Sequence, residues 1–227
     1  MQHIKLAVDA VVFGYQNEAL YLLCVKQKYG PFANSWVLPG GLVKDNESIQ
    51  DAVKRELEEE TSVELDYLEQ LYTFGDDVER DPRGRVVTVA YLGLVDPGRL
   101  HIQADTDALE VKWFLLKDLP ELGYDHQSIV DKGLERLRAK IHYEPIGFDL
   151  LGKEFFFSEL EGLYRTITNR ELDRRNFRKK ILSFELLEDL GVFPSNGRGR
   201  PGKKYRFRED RYKELVAKGF HFEIKYV

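Results

Sequence analysis

Residues 41–63 read GLVKDNESIQDAVKRELEEETSV, with Gly41, Glu47, Arg55, Glu56, Leu57, Glu59, Glu60, Ser62 and Val63 in the spacing G-x5-E-x7-R-E-L-x-E-E-x-S-V. The stretch from Glu47 to Thr61 is rich in helix formers, which predicts a helix. On it Glu56, Glu59 and Glu60 stand at i, i+3 and i+4, so their side chains leave one face together. Three carboxylates on one face repel each other. A hard divalent cation relieves that repulsion, because Mg2+ or Mn2+ takes oxygen ligands and can bridge onward to phosphate oxygens. In front of the helix lies Pro39-Gly40-Gly41, and before that the strand-like Trp36-Val37-Leu38.

A Glu-rich face alone is the ordinary surface of a solvated helix. The full register of Gly41 to Val63, in its strand, loop and helix context, instead resembles the Nudix box. The resemblance implies a loop-helix-loop in which Glu56, Glu59 and Glu60 are metal ligands, Arg55 orients the carboxylates, and Glu59, Glu60 and Arg55 form the catalytic set. It also places Gly40 and Gly41 beside a bound ligand. One position departs: Ser62 stands where the family has glycine. Glycine suits that helix end because it enters the left-handed region without a Cβ penalty. Serine forced there costs about 1 to 2 kcal/mol.

At 227 residues the chain suits two domains. Composition is ordinary for a globular protein, and no apolar run is long enough to span a bilayer. The start MQHIKLAVDA has no secretory pattern, and the single cysteine, Cys24, has no partner within the chain for a disulfide. A cytoplasmic location is expected. Net charge is −5, yet residues 1–149 hold 16 Lys and Arg against 27 Asp and Glu, whereas 150–227 hold 18 against 12. The acidic front and basic back suggest two tasks, the second facing a polyanion. Pro145 and Gly147 interrupt the pattern between them, so domains are expected over 1–145 and 150–227.

In the front part, strands are expected at Leu6 to Phe13, Ala19 to Lys26, Leu68 to Thr73, Val86 to Val95 and Val111 to Leu115. A helix is expected from Ser128 to Ile141, with Asp125 as its cap and His126 partly buried. The expected fold class is α/β: a Nudix α/β/α sandwich with a mixed sheet, followed by a small winged helix-turn-helix domain. The loop Gly75 to Arg85 is charged and punctuated by Pro82 and Gly84. It reads either as a solvated turn or as a ligand loop, in which Arg83 and Arg85 grip phosphate and acids such as Asp81 accept sugar hydroxyls. Its DPRGRVVTVAY run resembles Nudix proteins near the ADP-ribose pyrophosphatases and their regulator relatives, and that favours a ligand loop.

Further on, Phe157 to Tyr164 predicts a helix with Ser158 as N-cap and Glu161 completing a capping box. After a polar turn, Asp173 to Leu182 carries an apolar stripe with basic residues on the other faces. The glycine-rich basic run Asn196 to Phe207 reads as a loop entering a strand. Two helices and a basic hairpin outline a winged helix, with Arg174, Arg175, Asn176, Arg178 and Lys179 on the helix and Arg198, Arg200, Lys203 and Lys204 on the wing as DNA contacts. The alternative is a solvated basic helix and loop.

Together the halves resemble bacterial transcription regulators that join a Nudix-like sensor to a winged helix, among them repressors of nicotinamide metabolism and their sugar-responsive relatives. The resemblance implies a homodimer on double-stranded DNA, with a Nudix domain that senses an ADP-ribose-like nucleotide or a sugar. The retained glutamates keep a second reading open: a Mg2+- or Mn2+-dependent pyrophosphohydrolase of ADP-ribose or a related nucleoside diphosphate derivative.

Overall fold

The computed structural model describes residues 3–100, 102–103, 108–193, 202–220 and 222. Its contacts divide the chain into two compact units, Met1–Gln16 with Leu20–Arg136, and Asn17–Ala19 with Leu137–Val227.

In the first unit, seven strands among the described residues form one mixed sheet: β1 Lys5–Gln16, β2 Ala19–Gln27, β3 Trp36–Val37, β4 Gly40–Leu42, β5 Tyr67–Phe74, β6 Val86–Val95 and β7 Ala108–Leu115. The central path runs β3-β2-β1-β6-β5, with β4 pairing β1 and β7 pairing β2. Strands β1 and β6 are parallel, in a register that sets Ala7 beside Thr88 and Asp9 beside Ala90. Strand β1 is buried on both faces from Ala7 to Tyr15, as a strand covered on each side by a helix must be. Helix α1, Ile49–Thr61, covers one face, where its Ala52, Val53 and Leu57 join Val8, Ala10 and Val12 in the core. Helix α2, His126–Lys140, comes close to the other side of β1 at Gly133, where a Cβ would lie 2.8 Å from Val11 Cγ1. The α/β/α sandwich is present as expected, with every expected strand in place.

Ser62 takes up the left-handed conformation that the box reserves for glycine (φ 57°, ψ 30°), and its N–H donates to the Glu58 carbonyl at 2.9 Å. The helix therefore closes in the usual way despite the side chain. The Asp125 carboxylate, expected as the cap of α2, is instead turned to Arg80, which donates one hydrogen bond to each of its oxygens.

The second unit has a small sheet of β8 Phe155–Phe156, β9 Leu187–Phe193 and β10 Gly202–Phe207 in the order β8-β10-β9. Its helices are α3 Phe157–Thr168, α4 Arg174–Ser183 and α5 Glu209–Ala217. Helix α3 starts one residue before Ser158, and the acid that closes its first turn is Glu159 rather than Glu161: its carboxylate accepts the Phe156 N–H at 2.6 Å. The core is aromatic, with Tyr164 and Phe177 rings 4.9 Å apart and Phe157 6.1 Å from Phe177. Gly191, at φ +100°, sits where the β9–β10 register slips, which marks a bulge.

Candidate functional site

Helix α1 is capped by Ser48, whose hydroxyl accepts the Asp51 N–H at 3.1 Å. On it, Arg55 is the hub. Its guanidinium donates to Glu47 at 2.7 and 2.8 Å, to Glu56 at 2.7 Å and to Glu59 at 3.0 Å. The hydrogen bond from Arg55 depresses the Glu47 pKa from 4.5 to about 2. Glu56 moves the other way: burial raises its pKa, against the pull of Arg55. Glycine at position 41 admits this carboxylate, since a Cβ there would stand 2.3 Å from Glu56 Oε1. Glu60 reaches forward, and its Oε2 accepts the Gly40 N–H at 2.9 Å.

Glu56, Glu59 and Glu60 offer only carboxylate oxygens, which is the donor chemistry of a hard divalent cation. Their arrangement is a different matter. Glu56 and Glu59 share Arg55, Glu60 holds the Gly40 strap, and among the described residues no three His, Cys, Asp or Glu side chains form a group able to hold a metal ion. The residue types suit the ion, but as placed they serve Arg55 and the backbone.

Beside this helix lies a pocket of about 60 Å³ lined by Asp9, Gly40, Gly41, Glu60, Arg80, Asp81, Arg83, Tyr124 and His126 among others. Its floor holds buried charge. Arg80, whose side chain is 4% exposed, donates to the Asp125 carboxylate from two nitrogens at 2.9 and 2.5 Å, and its Nη2 lies 3.8 Å from Asp9 Oδ2. Burial opposes the charge on Arg80, but the Asp125 hydrogen bond and the Asp9 field outweigh it, so the group stays protonated. His126 Nδ1 accepts the Leu38 N–H at 2.9 Å, which places the ring proton on Nε2, 3.4 Å from Asp9 Oδ1. Burial lowers the His126 pKa below its ordinary 6.5, so the neutral form is the native one.

Over the mouth, Arg83 donates to Asp81 at 2.7 Å and lies 5.2 Å from the centroid of the Tyr124 ring. Burial works to raise the Asp81 pKa, but hydrogen bonds from Arg83 side chain and backbone prevail and hold it low. Tyr124 is held at φ 56°, packed between Phe32 and His126, and its hydroxyl pairs with Gln27. Pockets for drug-sized ligands span about 300–1,000 Å³. This one has room for a few waters until its exposed partner, Arg83, moves.

Gly40, Gly41, Asp81 and Arg83 thus line one pocket. Arg85 does not join them: it spans the loop and donates to the Gly75 carbonyl at 2.7 Å. Asp9, Arg80, Tyr124 and His126 belong to the site and were not singled out for it beforehand. A signal existed for Asp9, the lone charge inside the apolar run Leu6 to Phe13, since a buried charge needs partners. Cys24 is inert core, its thiol pushed up to about 12 by burial.

In the second unit, the Asp173 carboxylate accepts the Arg175 and Asn176 N–H groups, each at 3.1 Å, and caps α4. The same carboxylate holds the Asn176 side chain at 2.6 Å. Arg174, Arg175 and Lys179 are exposed on this helix. Arg178 turns inward: it lies 4.3 Å from the Phe157 ring centroid and donates to the Tyr205 hydroxyl at 2.9 Å, so it braces α4 against the sheet. Lys203 pairs with Asp189 at 2.5 Å, and Lys204 lies over Phe156 and Phe193. Arg198 and Arg200 lie outside the described residues.

Residues 3–133 match the NUDIX domain model, and residues 147–207 match that of the NrtR DNA-binding winged helix domain. The ADPR responsive transcriptional repressor NtrR of Acinetobacter baylyi is 28% identical over 206 residues, covering 89% of this chain and 81% of that protein. The crystal structure of Shewanella oneidensis NrtR complexed with a 27mer DNA superposes with a TM-score of 0.79 at 30% identity, covering 97% of this chain and 99% of the other. The NUDIX domain of the same protein, complexed with ADP ribose, gives a TM-score of 0.56 at 37% identity, covering 60% of this chain and 90% of that one. Among the described residues no helix is long and apolar enough to cross a membrane. With a Nudix match over residues 3–133 of 227 and an NrtR likeness that runs through both units, the chain belongs to the Nudix family, in the group that carries an NrtR-type winged helix.

Proposed function

We propose that this protein is a DNA-binding transcriptional regulator whose Nudix pocket binds ADP-ribose or a chemically similar nucleotide and thereby changes its hold on DNA. The observation that carries this reading is the capped helix α4, whose Arg174, Arg175 and Lys179 stand exposed, followed by the β9–β10 hairpin with Lys203 and Lys204. Such a helix presents cations to phosphates and base edges. The effector arises from the other unit. Arg83 is positioned to exchange Asp81 for a phosphate, Gly40 and Gly41 let a ligand approach the backbone, and the Asp9 carboxylate suits sugar hydroxyls. The regulator acts in the cytoplasm as a homodimer on a palindromic site, its sensor spanning 1–145 and its DNA-binding part 150–227. Mobility shift with duplexes tiled across the DNA beside its own gene, with and without ADP-ribose, tests this. A retarded duplex whose affinity changes with ADP-ribose supports it; no retardation even at low salt, where phosphate contacts are strongest, sinks it.

A second reading, pyrophosphohydrolysis, draws on one observation: Glu56, Glu59 and Glu60 are all present with Arg55 among them. With Mg2+ or Mn2+ bound there, the metal would supply neutralisation of phosphate charge and an activated water. Release of AMP from ADP-ribose that disappears in Glu60→Gln would support it, and turnover indifferent to that change would remove it.

A further inference from the structure

Within the second unit, α4 carries Arg174, Arg175, Arg178, Lys179 and Lys180. Arg174, Arg175, Lys179 and Lys180 are exposed, whereas Arg178 is half-buried. Its guanidinium lies 4.3 Å from the ring centroid of Phe157, the first residue of α3, and 5.8 Å from that of Tyr205 on β10. Its Nη2 donates to the Tyr205 hydroxyl at 2.9 Å. Phe157 and Tyr205 are both buried, and their rings stand edge to face 5.8 Å apart. One side chain of α4 therefore fastens the helix to α3 and to β10 at once. Tyr205 directly follows Lys203 and Lys204, at the point where the β9–β10 register slips. The fastening falls where the basic helix touches the basic strand.

Accordingly, we infer that Arg178 is a positioning residue for DNA binding: it fixes α4 against β10, so that the cations of helix and strand meet a duplex at a set spacing, and it does not contact DNA itself. This rests on reading α4 and the β9–β10 hairpin as the DNA-binding surface. A duplex presents phosphates and base edges at fixed intervals, so two elements grip it together best when their separation is set before binding. The apolar stripe of α4, Phe177 and Ile181, buries the helix without fixing its direction, because hydrophobic burial is non-directional. A planar guanidinium that stacks on one ring and donates to the hydroxyl of another does fix it. Lysine has the charge but neither the plane nor the fork. It can replace Arg178 as a phosphate contact and not as a brace.

Fluorescence anisotropy on the full-length protein tests the inference, with the tightest-bound duplex from beside its own gene and a random duplex of equal length. Arg178→Lys and Tyr205→Phe are compared with wild type over a range of salt, with urea midpoints measured alongside. Tyr205 is 3% exposed, so its hydroxyl acts on DNA only through Arg178. Each variant is expected to weaken the specific duplex about tenfold and the random duplex by less than about twofold, with the salt slope unchanged. The double variant should lose no more than about tenfold, since both changes cut one contact. A lowered urea midpoint with an unchanged ratio of specific to random affinity overturns the inference, as does wild-type DNA affinity in Arg178→Lys. Arg178→Met that weakens both duplexes equally and lowers the salt slope by about one makes Arg178 a phosphate contact. That result overturns the inference and leaves the DNA-binding reading intact. Failure of the wild type to bind any duplex at low salt overturns that reading, and the inference with it.

Discussion

The two units handle charge in opposite ways. At the Nudix pocket, Arg80 is held by Asp9 and Asp125, Asp81 is held by Arg83, and Asp9, Arg80 and Asp81 are buried. On α4, Arg174, Arg175 and Lys179 project into solvent. Buried pairs are rigid and unforgiving, because removing one partner strands a charge away from water. Exposed cations are individually dispensable for folding and act through number and spacing on a polyanion. A small effector needs the first arrangement, and DNA needs the second.

The contrast breaks most visibly on the DNA side. Reversing two exposed cations, Arg174→Glu with Arg175→Glu, is expected to weaken DNA binding by about 100-fold or more in fluorescence anisotropy, while leaving the urea midpoint nearly unchanged. A loss under tenfold would mean that α4 does not face the DNA. Arg80→Ala tests the opposite side. Stranding Asp9 and Asp125 should cost the first unit about 3 to 5 kcal/mol in urea unfolding. A cost below about 1 kcal/mol would show that the pocket charges are hydrated rather than locked.

Acid should weaken the first unit before the second. His126 is neutral when folded, with its pKa lowered from 6.5 by burial. Below that value the unfolded chain takes up a proton that the folded chain refuses, so stability falls as the pH drops from about 6.5 toward the folded pKa. The His126→Gln variant should lose this slope, though not all of its acid sensitivity. Glu47, depressed to about 2 from 4.5, contributes stability that is complete above 4.5 and lost as the pH falls through about 2. A wild-type protein with flat stability from pH 7 to 5.5 would contradict the buried-neutral assignment of His126. The smallest effect belongs to the helix end. Ser62→Gly relieves a left-handed φ and should stabilise by about 1 kcal/mol, and a loss of stability would show that the serine side chain is needed there.

Much of this was readable along the chain. The box placed α1 and its Arg55 hub and strand patterning placed the strands, while the basic stretch after residue 149 falls inside a second compact unit that already begins at Leu137. The local rules failed where a side chain had a distant choice of partner. Asp125 looked like a helix cap, yet Arg80, 45 residues away, claims both of its oxygens. Arg178 looked like its exposed basic neighbours, yet Phe157 and the Tyr205 hydroxyl turn it inward.

By itself the sequence determined the helix that carries three glutamates, the hydrophobic runs that become strands and the basic character of the second unit, because periodicity and composition are local properties. The tertiary structure alone decided that Glu60 straps Gly40 and that Arg80 is shared between Asp9 and Asp125. It also gathered Asp9, Arg80, Asp125 and His126 at the head of α2. The physical reason is that a buried charge must find its counterpart wherever the fold brings one, and sequence distance does not limit that search.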